Sequence, residues 1–170
     1  MQLYEGAQYP FSVQIPASWN LVEDLNEPGR VRRTYQMGSP GPLLIITETD
    51  LSKSEDFAGG VTLDQAEEKH LASALAGGIN PTLILSERRV NVQGDAYHVF
   101  VFREGIEIPE LSLLSFLPRL IYVYQEQARI QVEYIVTGQQ FEELWPMIDY
   151  TFNTFVVLEG DPTPTPLSSD

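Results

Sequence analysis

The chain has no cysteine among its 170 residues. This removes disulfides, thiolate zinc sites, a cysteine nucleophile and a lipid-modified cysteine, and leaves the redox compartment open. Positive charge is also scarce: 10 Lys and Arg stand against 24 Asp and Glu, a net charge of -14. Proteins that grip phosphates need clustered Lys and Arg, so nucleic acid and anionic membrane surfaces are poor partners. The small basic groups Arg30, Arg32, Arg33 and Arg88, Arg89 fall in strand-like stretches and read as cross-strand partners of the many carboxylates. No run approaches the ~20 apolar residues of a membrane helix, and Met1-Gln2-Leu3-Tyr4-Glu5 does not begin a basic-then-apolar leader.

Linear signatures of catalysis are missing as well. There is no Gly-x-Ser-x-Gly, Ser-x-x-Lys, His-Glu-x-x-His or phosphate-cradling glycine loop before a lysine. Only two histidines occur, His70 and His98. Glu67 and His70 have the one-turn spacing that sets two metal ligands side by side, but one such pair makes no site, and both histidines read as hydrogen-bonded structural groups. The acidic groups Glu23-Asp24-Glu27, Glu55-Asp56 and Asp64-Glu67-Glu68 do not follow the EF-hand spacing, and the last suits the positive end of a helix. No metal and no cofactor is expected.

What is present is a globular composition, 43% hydrophobic with 11% aromatic residues, in a chain long enough to bury ~70% of its unfolded surface. Phe11, Val13 and Ile15 alternate with polar residues and stop at Pro16, a half-buried strand, with Trp19 in the turn after it. Arg30 to Met37 reads as a second strand, and Leu43 to Thr47, apolar at nearly every position, as one covered on both faces. A helix is predicted from Thr62 to Ala76, with Thr62 and Gln65 as a capping box, Gly77-Gly78 as the stop, and Leu63, Ala66, His70, Leu71, Ala74 and Leu75 on one face. Two hairpins follow, Thr82 to Val92 with Tyr97 to Phe102, and Leu120 to Tyr124 with Ile130 to Val136. A second capping box at Thr137 and Gln140 opens a closing helix in which Pro146 predicts a kink or break. Phe152 to Val157 then closes against a sheet edge.

Strands, helix, strands, helix is the order of an α+β fold, not of strict βαβ alternation. Residues 1–158 form one domain on this reading, and the Pro/Thr/Ser-rich 159–170 form an extended tail.

The opening Tyr9-Pro10-Phe11-Ser12-Val13-Gln14-Ile15-Pro16-Ala17-Ser18-Trp19, the hairpin through Gly94-Asp95-Ala96-Tyr97, and the ending from Tyr134 to Phe155 resemble the PsbP-like fold family. That family includes the extrinsic PsbP subunit of photosystem II, a Ran-binding nuclear protein and bacterial lipoproteins. The resemblance implies a central antiparallel sheet with helices packed on its faces, an α/β/α sandwich, and binding or scaffolding in place of catalysis. It carries over no active-site residue.

The sequence departs from that pattern between Arg103 and Pro118, where Glu104, Glu107 and Glu110 interleave with Ile106, Ile108, Leu111, Leu113, Leu114 and Phe116. The stretch is an insertion, an interface or a further core strand, and it holds more apolar residues than a connector needs. Ile106, Ile108, Glu110 and Leu111 are therefore the candidate partner-binding residues. The expected function is a non-catalytic binding or scaffolding module for a protein partner, extracytoplasmic, secreted or anchored through a segment outside this sequence. The alternatives are a small-ligand or metal-binding carrier and, third, a hydrolase with spatially assembled carboxylates.

Overall fold

A strand that alternates apolar and polar residues buries one face, and a strand apolar at successive positions has to be covered on both. The computed structural model describes residues 1–52, 59–108 and 111–162. Its elements are β1 (Gln2–Glu5), β2 (Phe11–Ile15), β3 (Asn20–Glu27), β4 (Arg30–Gln36), β5 (Leu43–Asp50), α1 (Leu63–Gly77), β6 (Thr82–Val90), β7 (Ala96–Ile108), β8 (Leu111–Tyr124), β9 (Ala128–Thr137), α2 (Gly138–Asn153) and β10 (Val156–Val157). A seven-stranded sheet runs β3-β4-β5-β9-β8-β7-β6, and a smaller one runs β1-β2-β10. Every pairing is antiparallel.

Successive residues of the large sheet fall in different cores. Val99 and Leu120 join Leu44, Ile46, Val132 and Tyr134 in a cluster with Phe11 and Val13 of β2 and Ile148 and Phe152 of α2. Their chain neighbours Phe100 and Ile121 join Phe102, Leu117, Val61 and Ala66 of α1 in another. The two helices therefore lie on opposite faces of the sheet, with the small sheet beside α2. Leu44 to Thr47 of β5 are all buried, as the apolar run predicts, and so is Glu48 beyond it.

The first helix is capped as the sequence predicts. Thr62 Oγ1 accepts from the Gln65 N–H at 3.3 Å, and Gln65 Oε1 accepts from the Thr62 N–H at 2.9 Å. Its buried strip is narrower than the predicted face, since Ala66 and His70 are buried while Leu75 is exposed.

The second helix departs from expectation twice. Thr137 occupies the N-cap position, but its hydroxyl donates to the Gln140 side chain at 2.9 Å and caps no backbone group. Pro146 does not interrupt the helix. Both Pro146 and Glu142, whose carbonyl loses its usual donor, lie on the exposed side, so the freed oxygen is open to solvent.

The basic groups are engaged by this chain's own carboxylates. Arg32 and Arg33 reach Glu23 and Asp24 across the β3–β4 pair at 3.6 and 3.2 Å. Arg88 instead reaches Asp64 and Glu67 of α1, and Arg89 reaches Asp149 of α2 at 2.7 Å. Adjacent residues of a strand point to opposite faces, so β6 is pinned to a helix on each side.

The two sheets are joined by a buried carboxylate. Glu48 of β5 is fully buried and accepts from the N–H groups of Ala7, Gln8 and Tyr9 at 2.8, 2.7 and 2.9 Å and from the Tyr4 hydroxyl at 3.3 Å. At the other end of the chain, Leu158 N–H donates to Pro10 C=O at 2.8 Å and Tyr124 OH donates to Gly160 C=O at 3.3 Å. The chain thus stays attached to the body through Gly160, and most of the Pro/Thr/Ser-rich segment lies outside the described residues.

Candidate functional site

The stretch that stood out in the sequence folds as a hairpin longer than its neighbours. Pairing of β7 with β8 runs from His98↔Ile121 to Ile108↔Leu111. By contrast β6 pairs with β7 no farther than Arg103, and β9 pairs with β8 no farther than Ser115. Beyond those residues the hairpin projects as an arm with no flanking strand among the described residues. Ile106 and Leu113 are direct cross-strand partners on it, and both are exposed, at 46% and 59%. Ile108 and Leu111 pair in backbone register at its far end, while Glu110 lies outside the described residues.

The arm's two edges differ. On the β7 side the Gly105 N–H donates to Ile79 C=O at 2.7 Å and Asn80 Nδ2 donates to Gly105 C=O at 3.4 Å, so the α1–β6 connection closes that edge. Gly105 has φ +120°, and a Cβ there would lie 2.0 Å from Leu113 O, which fits only glycine. At the base, Phe116 stacks on Phe141 of α2 with ring centroids 4.1 Å apart. A hollow of about 340 Å³ lined by Leu113, Leu114, Ser115, Thr137, Gly138 and Gln139 opens beside the β8 edge.

A second polar constellation runs between α1 and the sheet, and it takes in both histidines. His70 is buried, and its Nε2 accepts from Arg119 Nη1 at 3.3 Å. Arg119 also donates from Nε to Glu133 Oε1 at 2.7 Å and lies over the Phe102 ring. Burial, reinforced by the positive charges of Arg119 and Arg129, pushes the His70 imidazole down to about 3. Glu67 faces away from this group toward Arg88 and His98, so the Glu67 and His70 pair is not brought together as ligands. Among the described residues no three His, Asp or Glu side chains are grouped to hold a metal ion.

His98 stands between a serine and a carboxylate. Its Nε2 is 2.9 Å from Ser86 Oγ, and its Nδ1 is 2.9 Å from Glu67 Oε1. The second approach is not a directed hydrogen bond, and Nδ1 has no hydrogen-bond partner among the described residues. Arg88 fixes Glu67 from the other side, donating from Nε at 2.8 Å and from Nη2 at 2.7 Å. Ser86 is exposed, whereas the His98 and Glu67 side chains are only 10% and 15% exposed. They line a cleft of about 370 Å³ with Leu71, Phe100, Asp64 and Glu68. Sequence reading missed Ser86, because the three groups come from β6, β7 and α1 and share no linear spacing.

Comparison with known proteins identifies the fold. The chain is similar to the solution structure of cyanobacterial PsbP (CyanoP) from Synechocystis sp. PCC 6803, with a TM-score of 0.63 at 15% identity over 92% of this chain and 91% of that one. It is also similar to a Pseudomonas aeruginosa protein of unknown function, a candidate regulator, with a TM-score of 0.55 at 14% identity over 96% of this chain and 99% of that one. No protein-family model and no curated protein sequence matches it. The fold is PsbP-like, as the opening strand and the hairpins imply.

Proposed function

We propose that the chain acts by binding a protein partner outside the cytoplasm, and that the β7–β8 arm makes the contact. The observation that carries this reading is the cross-strand pair Ile106 and Leu113, exposed on a hairpin that outruns both neighbouring strands. Directly opposed apolar side chains in water are a cost to the free protein unless something covers them. Two aliphatic side chains on a two-stranded, hydrogen-bonded support are suited to act as anchors in a partner's pocket. Ile108, Glu110 and Leu111, the other candidates read from the sequence, belong to the same proposed contact. The extracytoplasmic placement rests on the Pro/Thr composition of 159–170, which is that of a stalk. Charge supports a protein in preference to nucleic acid, since Arg32, Arg33, Arg88 and Arg89 are all engaged internally.

The test is an affinity comparison in an extract of the source organism between the wild type and a variant carrying Ile106→Asp and Leu113→Asp. Proteins held by the wild type are expected to be lost from the variant, with its thermal midpoint unchanged. Retention of the same proteins by both would move the contact elsewhere.

The carrier reading has one observation in its favour, the hollows of about 320 and 370 Å³ that flank α1. Native mass spectrometry before and after chelation separates it from the first. Excess mass favours a carried ligand or metal, and the bare chain mass favours the arm.

A further inference from the structure

The cleft beside α1 holds the three groups that nucleophilic catalysis requires, in the required order. A serine hydroxyl is a weak nucleophile unless a base takes its proton, and the base works best when a carboxylate holds the ring and balances the charge it acquires. Ser86 Oγ lies 2.9 Å from His98 Nε2, within reach for that transfer. Glu67 Oε1 lies 2.9 Å from Nδ1 without a directed hydrogen bond, so its negative charge stands beside the ring that gains a proton in the transfer. Glu67 is itself held by two nitrogens of Arg88, so the orienting carboxylate does not wander. Phe100, stacked on the His98 ring with centroids 4.0 Å apart, fixes the plane of the base.

We propose that Ser86, His98 and Glu67 form a hydrolytic site for small uncharged carboxylic esters. Ser86 Oγ bonds to the acyl carbon as its proton passes to His98 Nε2. The bond from that carbon to the ester oxygen then breaks, and the leaving alkoxide takes the proton from Nε2. Water attacks the acyl-serine, gives its proton to Nε2, and Ser86 leaves and recovers it. One ester and one water become one acid and one alcohol. Ser86 and His98 are the catalytic residues, and Glu67 is a positioning residue.

The substrate class follows from the walls. Leu71 and Phe100 give the cleft an apolar floor, and about 370 Å³ admits a small acyl group. Asp64, Glu67 and Glu68 at the rim, in a chain of net charge -14, repel an anionic substrate. The inference runs against the expectation of a chain without catalysis, which rested on missing linear motifs and on the family resemblance. It is independent of the arm, so either reading can fail without the other.

The experiment treats the full chain with a fluorophosphonate probe and with p-nitrophenyl acetate. The expected result is a single phosphonyl adduct mapped to Ser86, absent from Ser86→Ala. Ester hydrolysis should fall by roughly tenfold or more in Ser86→Ala and His98→Gln. Glu67→Gln should lower kcat with KM unchanged, which a merely structural role would not do. Ser86 is exposed, so its replacement leaves the thermal midpoint in place and the loss is read on folded protein. An adduct on another residue, or hydrolysis by Ser86→Ala at the wild-type rate, overturns the proposal.

Discussion

The face of the large sheet under α2 and the face under α1 bury different chemistry. Under α2, aromatic and aliphatic side chains from both sheets interlock, with Trp19 edge-on to Tyr134, Tyr134 against Phe152, and Phe155 between Tyr97 and Phe11. Under α1, six buried apolar residues share the interface with His70, His98, Arg119, Glu133, Glu67 and Ser86. The α2 face gains chiefly from apolar area, with the Glu48 carboxylate and the Tyr134–Thr151 hydrogen bond as buried polar exceptions, whereas the α1 face has to satisfy many donors and acceptors and gains less. The difference teaches that stability and chemistry are kept apart: one side holds the chain together, and the other is free to present reactive groups around a lightly packed helix.

The comparison breaks first at Phe152. Truncation to alanine should cost about 3–5 kcal/mol in a urea titration, while Leu71→Ala on α1 should cost well under half of that. Equal losses would mean the faces are equivalent. Next in size is Glu48→Ala, which leaves three backbone N–H groups without their acceptor and should cost about 3 kcal/mol. An unchanged urea midpoint would show that water replaces the carboxylate.

The α1 face should also carry an acid sensitivity centred on His70. His70 titrates near 6.5 when unfolded and near 3 when folded, so between those values the unfolded chain binds the extra proton. Stability therefore rises with pH through that window and is flat above it. From pH 6.5 down to about pH 5 the loss should be about 2 kcal/mol. His70→Gln should flatten that limb, and a limb of the same slope in the variant would place the proton elsewhere. The smallest effect belongs to the arm. Ile106→Asp with Leu113→Asp should stay within about 0.5 kcal/mol of wild type, because neither side chain is buried. A larger loss would make the arm part of the core.

Much of this architecture is legible in the sequence, and its gaps have physical causes. Alternation marks β2, the continuous apolar run marks β5, and Thr62 with Gln65 marks α1, because each signal is local. The strands β1 and β3 left no such signal. Seven of the eight residues of β3 are exposed, and an edge strand with no face to bury shows no period. Pro146 does not break α2, because the carbonyl it deprives of a donor faces solvent. The arm could be flagged from its surplus of Ile and Leu, but its direction is set by where β6 and β9 stop, which no residue between Arg103 and Pro118 encodes. Ser86 was invisible for a related reason: its importance lies in neighbours contributed by other elements.

The small sheet has a consequence for how the chain is made. Its middle strand, β2, pairs with β1 on one side and with β10 on the other. Gln14 N–H donates to Thr154 Oγ1, a contact spanning 140 residues of sequence. At typical rates of synthesis, β2 leaves the ribosome on the order of ten seconds before its second partner exists. Until then Phe11, Val13 and Ile15 have no complete site to enter, and the strand waits with an open edge. Assembly is therefore expected to finish with the docking of β10 on β2, a late step that a holding chaperone would protect and that removal of Val156 and Val157 would prevent.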